Sequence, residues 1–124
     1  MTLLLDTHVV LWAISGDKTL DEPFLDRLRH DPDVFLSPVC LWEITIKQAA
    51  GKIAGPPDLA EQVQNMGFRE LPVIHTHAIA AGRLPLHHRD PFDRMLVAQA
   101  TTEGMTLATR DPFIAMYDVD ILTI

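Results

Sequence analysis

Asp6 follows the apolar run "TLLL" directly, and Asp111 follows "TLATR" directly. Between them stand Glu43, inside the apolar stretch "VCLWEITI", and Asp93, early in the segment "DPFDRMLVAQA". Carboxylates suit one kind of chemistry above others. Mg²⁺ and Mn²⁺ are hard cations that take oxygen ligands in octahedral geometry. Several carboxylates held together repel and raise one another's pKa unless a cation neutralises them. An ion bound by such a group can hold a scissile phosphate and activate water against it, with no histidine or cysteine required. Each acid also has a plainer reading. Asp6 could begin a turn. Glu43 could pair with Lys47 one helical turn later. Asp93 could complement a helix dipole, and Asp111 could cap a helix before Pro112.

The four letters RDPF occur twice, at 89–92 and 110–113. The flanking residues diverge at once, so this is no repeat. Aspartate caps a helix and proline occupies its first position in both copies. Arg89, Arg94 and Arg110 flank the acids and are free to pair with them or to touch phosphates. Two histidine pairs, His75 with His77 and His87 with His88, suggest zinc by composition. Neither has the i, i+4 spacing of a zinc helix, and no cysteine pair assists, so zinc is set aside. Trp12 and Trp42 read as core or groove residues rather than base-stacking platforms. Cys40 reads as an inert buried thiol.

The elements that must position these acids alternate. Strands are expected at "TLLLDT", "DVFLS", "FRELPV", "MTLAT" and "VDILTI", with the half-polar third one nearer an edge. Helices are expected at "HVVLWAIS", stopped by Gly16, at "EPFLDRLRH" and at "SPVCLWEITIKQAAGKI", capped by Ser37 and stopped by Gly51. Others are expected at "PPDLAEQVQNMG", with Asp58 as cap, at "HTHAIAAGRL", at "DPFDRMLVAQATTEG" and, briefly, at "DPFIAMY"; "LPLHHRDP" reads as a loop. This order implies an α/β fold with a mainly parallel sheet covered on both faces. In such sheets, sites form beyond the carboxyl ends of the strands.

Composition sets the outer bounds. The chain has 124 residues, 48% hydrophobic and 22% charged, enough for one domain (1–124) with a core that needs no disulfide. A lone cysteine, no signal-like start and no long apolar run lead to the expectation of a cytoplasmic protein with no membrane span. The net charge of −7 argues against binding nucleic acid by phosphate neutralisation alone. A metal site built of carboxylates would reverse that local field.

Taken in order, "LLLDTHVVLW", "LSPVCLWEITIKQAAGKI", "LPLHHRDPFDRMLVAQA" and "LATRDPF" resemble the PIN domains of the VapC toxin family, the ribonuclease half of prokaryotic type II toxin–antitoxin pairs. The resemblance spans essentially the whole chain. It implies a PIN-like α/β/α sandwich around four to five strands, with Asp6, Glu43, Asp93 and Asp111 as the metal-holding and catalytic acids. It further implies an endoribonuclease using Mg²⁺ or Mn²⁺ that leaves a 5′-phosphate and a 3′-hydroxyl, with tRNA, rRNA or mRNA as substrate. A VapB-like antitoxin and a homodimer are the implied partners. Thr7, Asp90, Arg94, Thr109 and Arg110 become candidates for supporting the acids or contacting RNA. Val9, Trp12, Phe24 and Leu28 become candidates for an antitoxin groove, with plain core as the alternative.

Three other functions compete. A phosphoacceptor receiver domain would need an aspartate at the end of a middle strand and a lysine near a late one; the chain offers "FLSPV" and "LATRD". An aspartate-nucleophile phosphatase would need Asp-x-Asp, where this chain has Asp6-Thr7-His8. A catalytically silent PIN scaffold would keep the fold without the reaction. For the nuclease, the acid cluster is expected to hold at least one carboxyl well above its ordinary pKa, and Mn²⁺ is expected to raise the melting temperature.

Overall fold

A computed structural model describes residues 1–124. Five short strands form one sheet, all of whose pairings are parallel: β1 (Leu3–Leu5), β2 (Val34–Leu36), β3 (Arg69–Glu70), β4 (Thr106–Thr109) and β5 (Ile121–Thr123). The order across the sheet is β3-β2-β1-β4-β5. All five expected strands are present, and the polar third one lies at an edge with both residues exposed. β1 is fully buried and apolar, as a central parallel strand must be.

Six α-helices connect them: α1 (Thr7–Ser15), α2 (Glu22–His30), α3 (Pro38–Ala49), α4 (Leu59–Gln64), α5 (His75–Arg83) and α6 (Pro91–Glu103). The chain builds outward from β1 through β2 to β3, then crosses back to lay β4 and β5 on the other side. Right-handed crossovers therefore send the helices of the two halves to opposite faces, which gives the three-layer sandwich. The reversal falls between β1 and β4, the place where open α/β sheets form their crevices.

Local chemistry explains the boundaries. Asp6, Asp21, Ser37 and Asp90 each accept a hydrogen bond from a first-turn backbone N–H of α1, α2, α3 and α6. Gly16 and Gly104 end α1 and α6 in the left-handed conformation, at φ 70° and 67°, where a side chain would be strained. Two details differ from expectation. Asp58 makes no cap bond to α4 and instead accepts from the Gln62 side chain. The segment after Asp111 forms only a 3₁₀ turn, Ile114–Met116.

A cluster of 24 buried residues fills the space between sheet and helices. Val9, Phe24 and Leu28 belong to it, which corrects their candidacy for a partner groove: they face inward and cover the sheet. Trp12 only packs against the margin of this core. Trp42 is 61% exposed, which rules out the core half of its core-or-groove expectation. The buried stripe of α3 runs through Val39, Cys40, Glu43 and Ile44, and Trp42 and Ile46 fall off it. No helix is long and apolar enough to cross a membrane.

Candidate metal centre at the sheet rim

Strand β1 delivers Asp6 to the rim, and β4 delivers Thr109 beside it. Leu5 pairs with Ala108 in the ladder, so the next residue on each strand meets the other. The Thr109 hydroxyl donates to Asp6 Oδ2 at 2.5 Å and accepts from the Asp111 N–H at 3.1 Å. One side chain thus ties the first acid to the last. Asp6 Oδ1 takes the His8 N–H at 2.8 Å, and the His8 ring lies 3.5 Å from the same oxygen. Burial pushes the Asp6 carboxyl up, but hydrogen bonds from the His8 side chain, Thr109 and the His8 backbone outweigh it and hold it below its ordinary value. The His8 imidazole is raised in turn, first by its bond to Asp6, against the opposing effect of burial.

Glu43 enters from α3. Though it is 2% exposed, both its oxygens are engaged. Oε1 accepts from the buried Thr7 hydroxyl at 2.7 Å, and Oε2 pairs with Lys47 one turn along α3. The surface ion-pair reading of Glu43 was therefore half right: the pair exists, but the carboxylate is inside. Burial alone would lower the Lys47 amine; its bond to Glu43 and the charges of Glu43, Asp90 and Asp93 raise it instead.

Asp93 comes from the first turn of α6 and is 6% exposed. Its carboxyl is pushed up to about 7 by burial, and then by the negative charges of Asp6, Asp90 and Glu43. His88 opposes that rise. Asp111 lies just past β4, with Oδ1 accepting the Phe113 N–H at 2.8 Å. Asp6 and Asp111 also share the wall of an open cavity of about 260 Å³ with His8, Trp12 and Arg110. The four acids therefore stand along one rim: carboxylate oxygens of Asp93 and Asp111 lie within 4.8 Å of each other beside His88, and the charges of Asp6 and Glu43 reach Asp93.

The supporting candidates divide. Thr7 and Thr109 orient acids directly. Asp90 caps α6, accepting from Phe92 and Asp93 N–H groups, and its charge reaches Asp93. Arg110 lies over the Trp12 ring at 5.4 Å and donates to the Ile124 carbonyl. Arg94 departs from the candidate role: its guanidinium bonds the carbonyls of Ala81, Leu84, Pro85 and His88 and the Tyr117 hydroxyl. It fastens the 84–90 loop to α6 rather than facing an acid.

Sequence reasoning passed over His88. Its Nε2 lies 2.9 Å from Asp111 Oδ2 and 3.0 Å from Asp93 Oδ2. The two histidine pairs are split in space: His75 and His87 are exposed, and His77 is buried against Glu103. An i, i+4 rule finds zinc helices but not a loop histidine folded onto acids. The adjacency of "HH" to "RDPFD" was the available signal.

The donor set suits a hard divalent ion. His88, Asp93 and Asp111 bring potential ligand atoms within 4.8 Å of one another, and Asp6 and Glu43 add carboxylates whose charge, after burial, raises Asp93. Cys40 is no alternative centre, since burial pushes its thiol up to about 12.

Fold and rim together define a class, and comparison with known proteins gives it a name: the chain belongs to the PIN domain family, which matches residues 3–120. Ribonuclease VapC22 of Mycobacterium tuberculosis is 27% identical over 118 aligned residues, covering 89% of this chain and 87% of that protein. Among solved structures, VapBC2 from Rickettsia felis bound to a promoter DNA fragment superposes with a TM-score of 0.75 at 14% identity, covering 98% of each chain. DNA-bound VapBC from Salmonella typhimurium gives 0.74 at 16% identity, covering 98% of this chain and 97% of that one. At such identities the structural likeness speaks for the fold.

Proposed function

We propose that this protein is a metal-dependent endoribonuclease, the toxin of a VapBC-type pair, acting in the cytoplasm as a homodimer. The observation that carries this reading is the convergence of Asp6, Glu43, Asp93 and Asp111 on one rim, with Asp93 raised to about 7 by burial first and then by its acidic neighbours. A Mg²⁺ or Mn²⁺ ion held there would supply positive charge at the scissile phosphate and help activate water. The chain's own residues prepare the place. Thr109 and Thr7 fix the rotamers of Asp6 and Glu43, and Lys47 offsets part of the negative charge. The open cavity beside Asp6 and Asp111, with Arg110 at its wall, gives RNA a way in. The products expected are a 5′-phosphate and a 3′-hydroxyl.

A VapB-like antitoxin is proposed as partner on the strength of the VapC22 likeness and the VapBC structures. An apolar groove of about 320 Å³, lined by Leu11, Trp12, Ile14, Ile53, Pro56 and Leu59, is a better candidate for its seat than the buried residues named from sequence. The homodimer draws support from Trp42, exposed and edge-on to Phe92 at 5.2 Å, with Ile46 also open. The receiver reading loses ground to topology. Receiver domains use the order 2-1-3-4-5, whereas β1 here lies between β2 and β4.

The test is incubation of purified protein with total RNA in Mg²⁺ or Mn²⁺, and in EDTA, beside the Asp6→Asn variant. Cleavage that needs both metal and Asp6 supports the proposal. No cleavage by the folded wild type favours a silent scaffold, and equal cleavage by the variant marks a contaminant.

A further inference from the structure

We infer that His88 is a positioning residue for this rim: its Nε2–H bonds Asp111, stands against Asp93, and fixes how those two carboxylates meet a divalent ion. The inference rests on the proposed metal-dependent nuclease and goes beyond its four acids.

The tautomer decides the role. Nδ1 of His88 lies 3.2 Å from the Asp90 N–H, which can only donate. Nδ1 therefore presents its lone pair, and the ring proton sits on Nε2. That nitrogen points between Asp111 Oδ2, at 2.9 Å, and Asp93 Oδ2, at 3.0 Å. A ring nitrogen carrying a proton donates hydrogen bonds and does not ligate metal. His88 thus acts as an outer partner, hydrogen-bonded to Asp111 and in polar contact with Asp93 at 3.0 Å, the arrangement by which outer groups orient metal ligands.

Everything around His88 holds the ring in that aim. Its backbone N–H donates to Tyr117 Oη at 2.9 Å, and its carbonyl accepts from Arg94 Nη1 at 3.3 Å. Tyr117 Oη also donates to the Pro85 carbonyl at 2.8 Å, and Arg94 gathers the carbonyls of Ala81, Leu84 and Pro85. The ring packs beside Phe113 at 5.6 Å between centroids and is only 16% exposed. Each other polar group of His88 is thus committed, and Nε2 alone is left for the acids. Two carboxylates that would otherwise repel are held at a fixed separation before any ion arrives. That preorganisation lowers the cost of binding.

Mn²⁺ binding by titration calorimetry tests this on the wild type, His88→Ala and His88→Gln. The glutamine amide can reach the Nε2 position and donate, but offers no ring. His88→Ala is expected to weaken Mn²⁺ binding about 10- to 100-fold, and His88→Gln to recover most of that loss. Pulsed electron paramagnetic resonance on the Mn²⁺-loaded wild type is expected to show no directly bonded nitrogen, a reading that does not depend on either variant folding. Unchanged affinity in a folded His88→Ala, affinity in His88→Gln as low as in the alanine variant, or a nitrogen bonded to manganese would each overturn the inference while leaving the nuclease reading intact. A wild type that binds no Mn²⁺ would instead sink that reading, and the inference with it.

Discussion

Replacing Asp93 by asparagine should make the metal-free protein more stable while removing its activity. The carboxyl rises from 3.8 to about 7, driven first by burial and then by Asp6, Asp90 and Glu43. Three units correspond to about 4 kcal/mol. The sign follows from linkage. The folded state holds this proton more tightly than the unfolded chain does, so the acid costs nothing below about pH 4. Its cost then grows as pH rises towards 7 and is complete above that. Asparagine has the same shape, keeps the polar contact with His88, and carries no charge. In EDTA, the stability of Asp93→Asn minus that of wild type should be near zero at about pH 4 and should climb to about 2 to 4 kcal/mol by pH 8, side-chain relaxation recovering the rest. Urea denaturation followed by circular dichroism at several pH values measures the difference directly. The difference is the right quantity, because carboxylates remote from the rim titrate alike in both proteins and only Asp93 with its coupled neighbours contributes to it. Mn²⁺ should reverse the order by stabilising only the wild type. A difference that does not vary with pH, or a variant less stable at pH 8, would refute the idea that these acids crowd one another.

Three other predictions follow from neighbouring contacts. Asp6→Asn should lower RNA cleavage more than about 100-fold while the protein stays folded with a moderately lower melting temperature, since the carboxylate that accepts from Thr109 is lost, read from gel assays beside a thermal melt. Thr109→Val removes the hydroxyl that joins Asp6 to the Asp111 backbone; it should cost about 1 to 3 kcal/mol in urea unfolding and weaken Mn²⁺ binding by about 10-fold or more. Cys40, fully buried with its thiol pushed up to about 12, should resist iodoacetamide at pH 8 in the native protein and react promptly in denaturant, as mass spectrometry would record.

How much of this was legible before the fold was known depends on the range of the interaction. Ser37-Pro38 and Asp90-Pro91 mark helix starts because capping is settled within three residues, and both starts are where the sequence puts them. Asp6 and Asp111 stand out because an acid ending an apolar strand is locally odd. Their approach could be foreseen from strand alternation, since β1 and β4 must pair for the crevice to form. Glu43 was ambiguous, because the same spacing serves a surface pair and a buried one. His88 was missed for a different reason: its place is set by Tyr117 and Arg94, 29 and 6 residues away. The inward turn of Val9, Phe24 and Leu28 and the outward turn of Trp42 were equally unreadable. Apolar patterning says that a face is covered, not what covers it.

The central claim is spatial, and anomalous scattering from crystals grown with Mn²⁺ tests it most directly. The account places a manganese peak among the carboxylates of Asp6, Glu43, Asp93 and Asp111, about 2.1 Å from its bonded oxygens. A fully ordered rim with no peak, or a peak bound elsewhere on the chain, would contradict it.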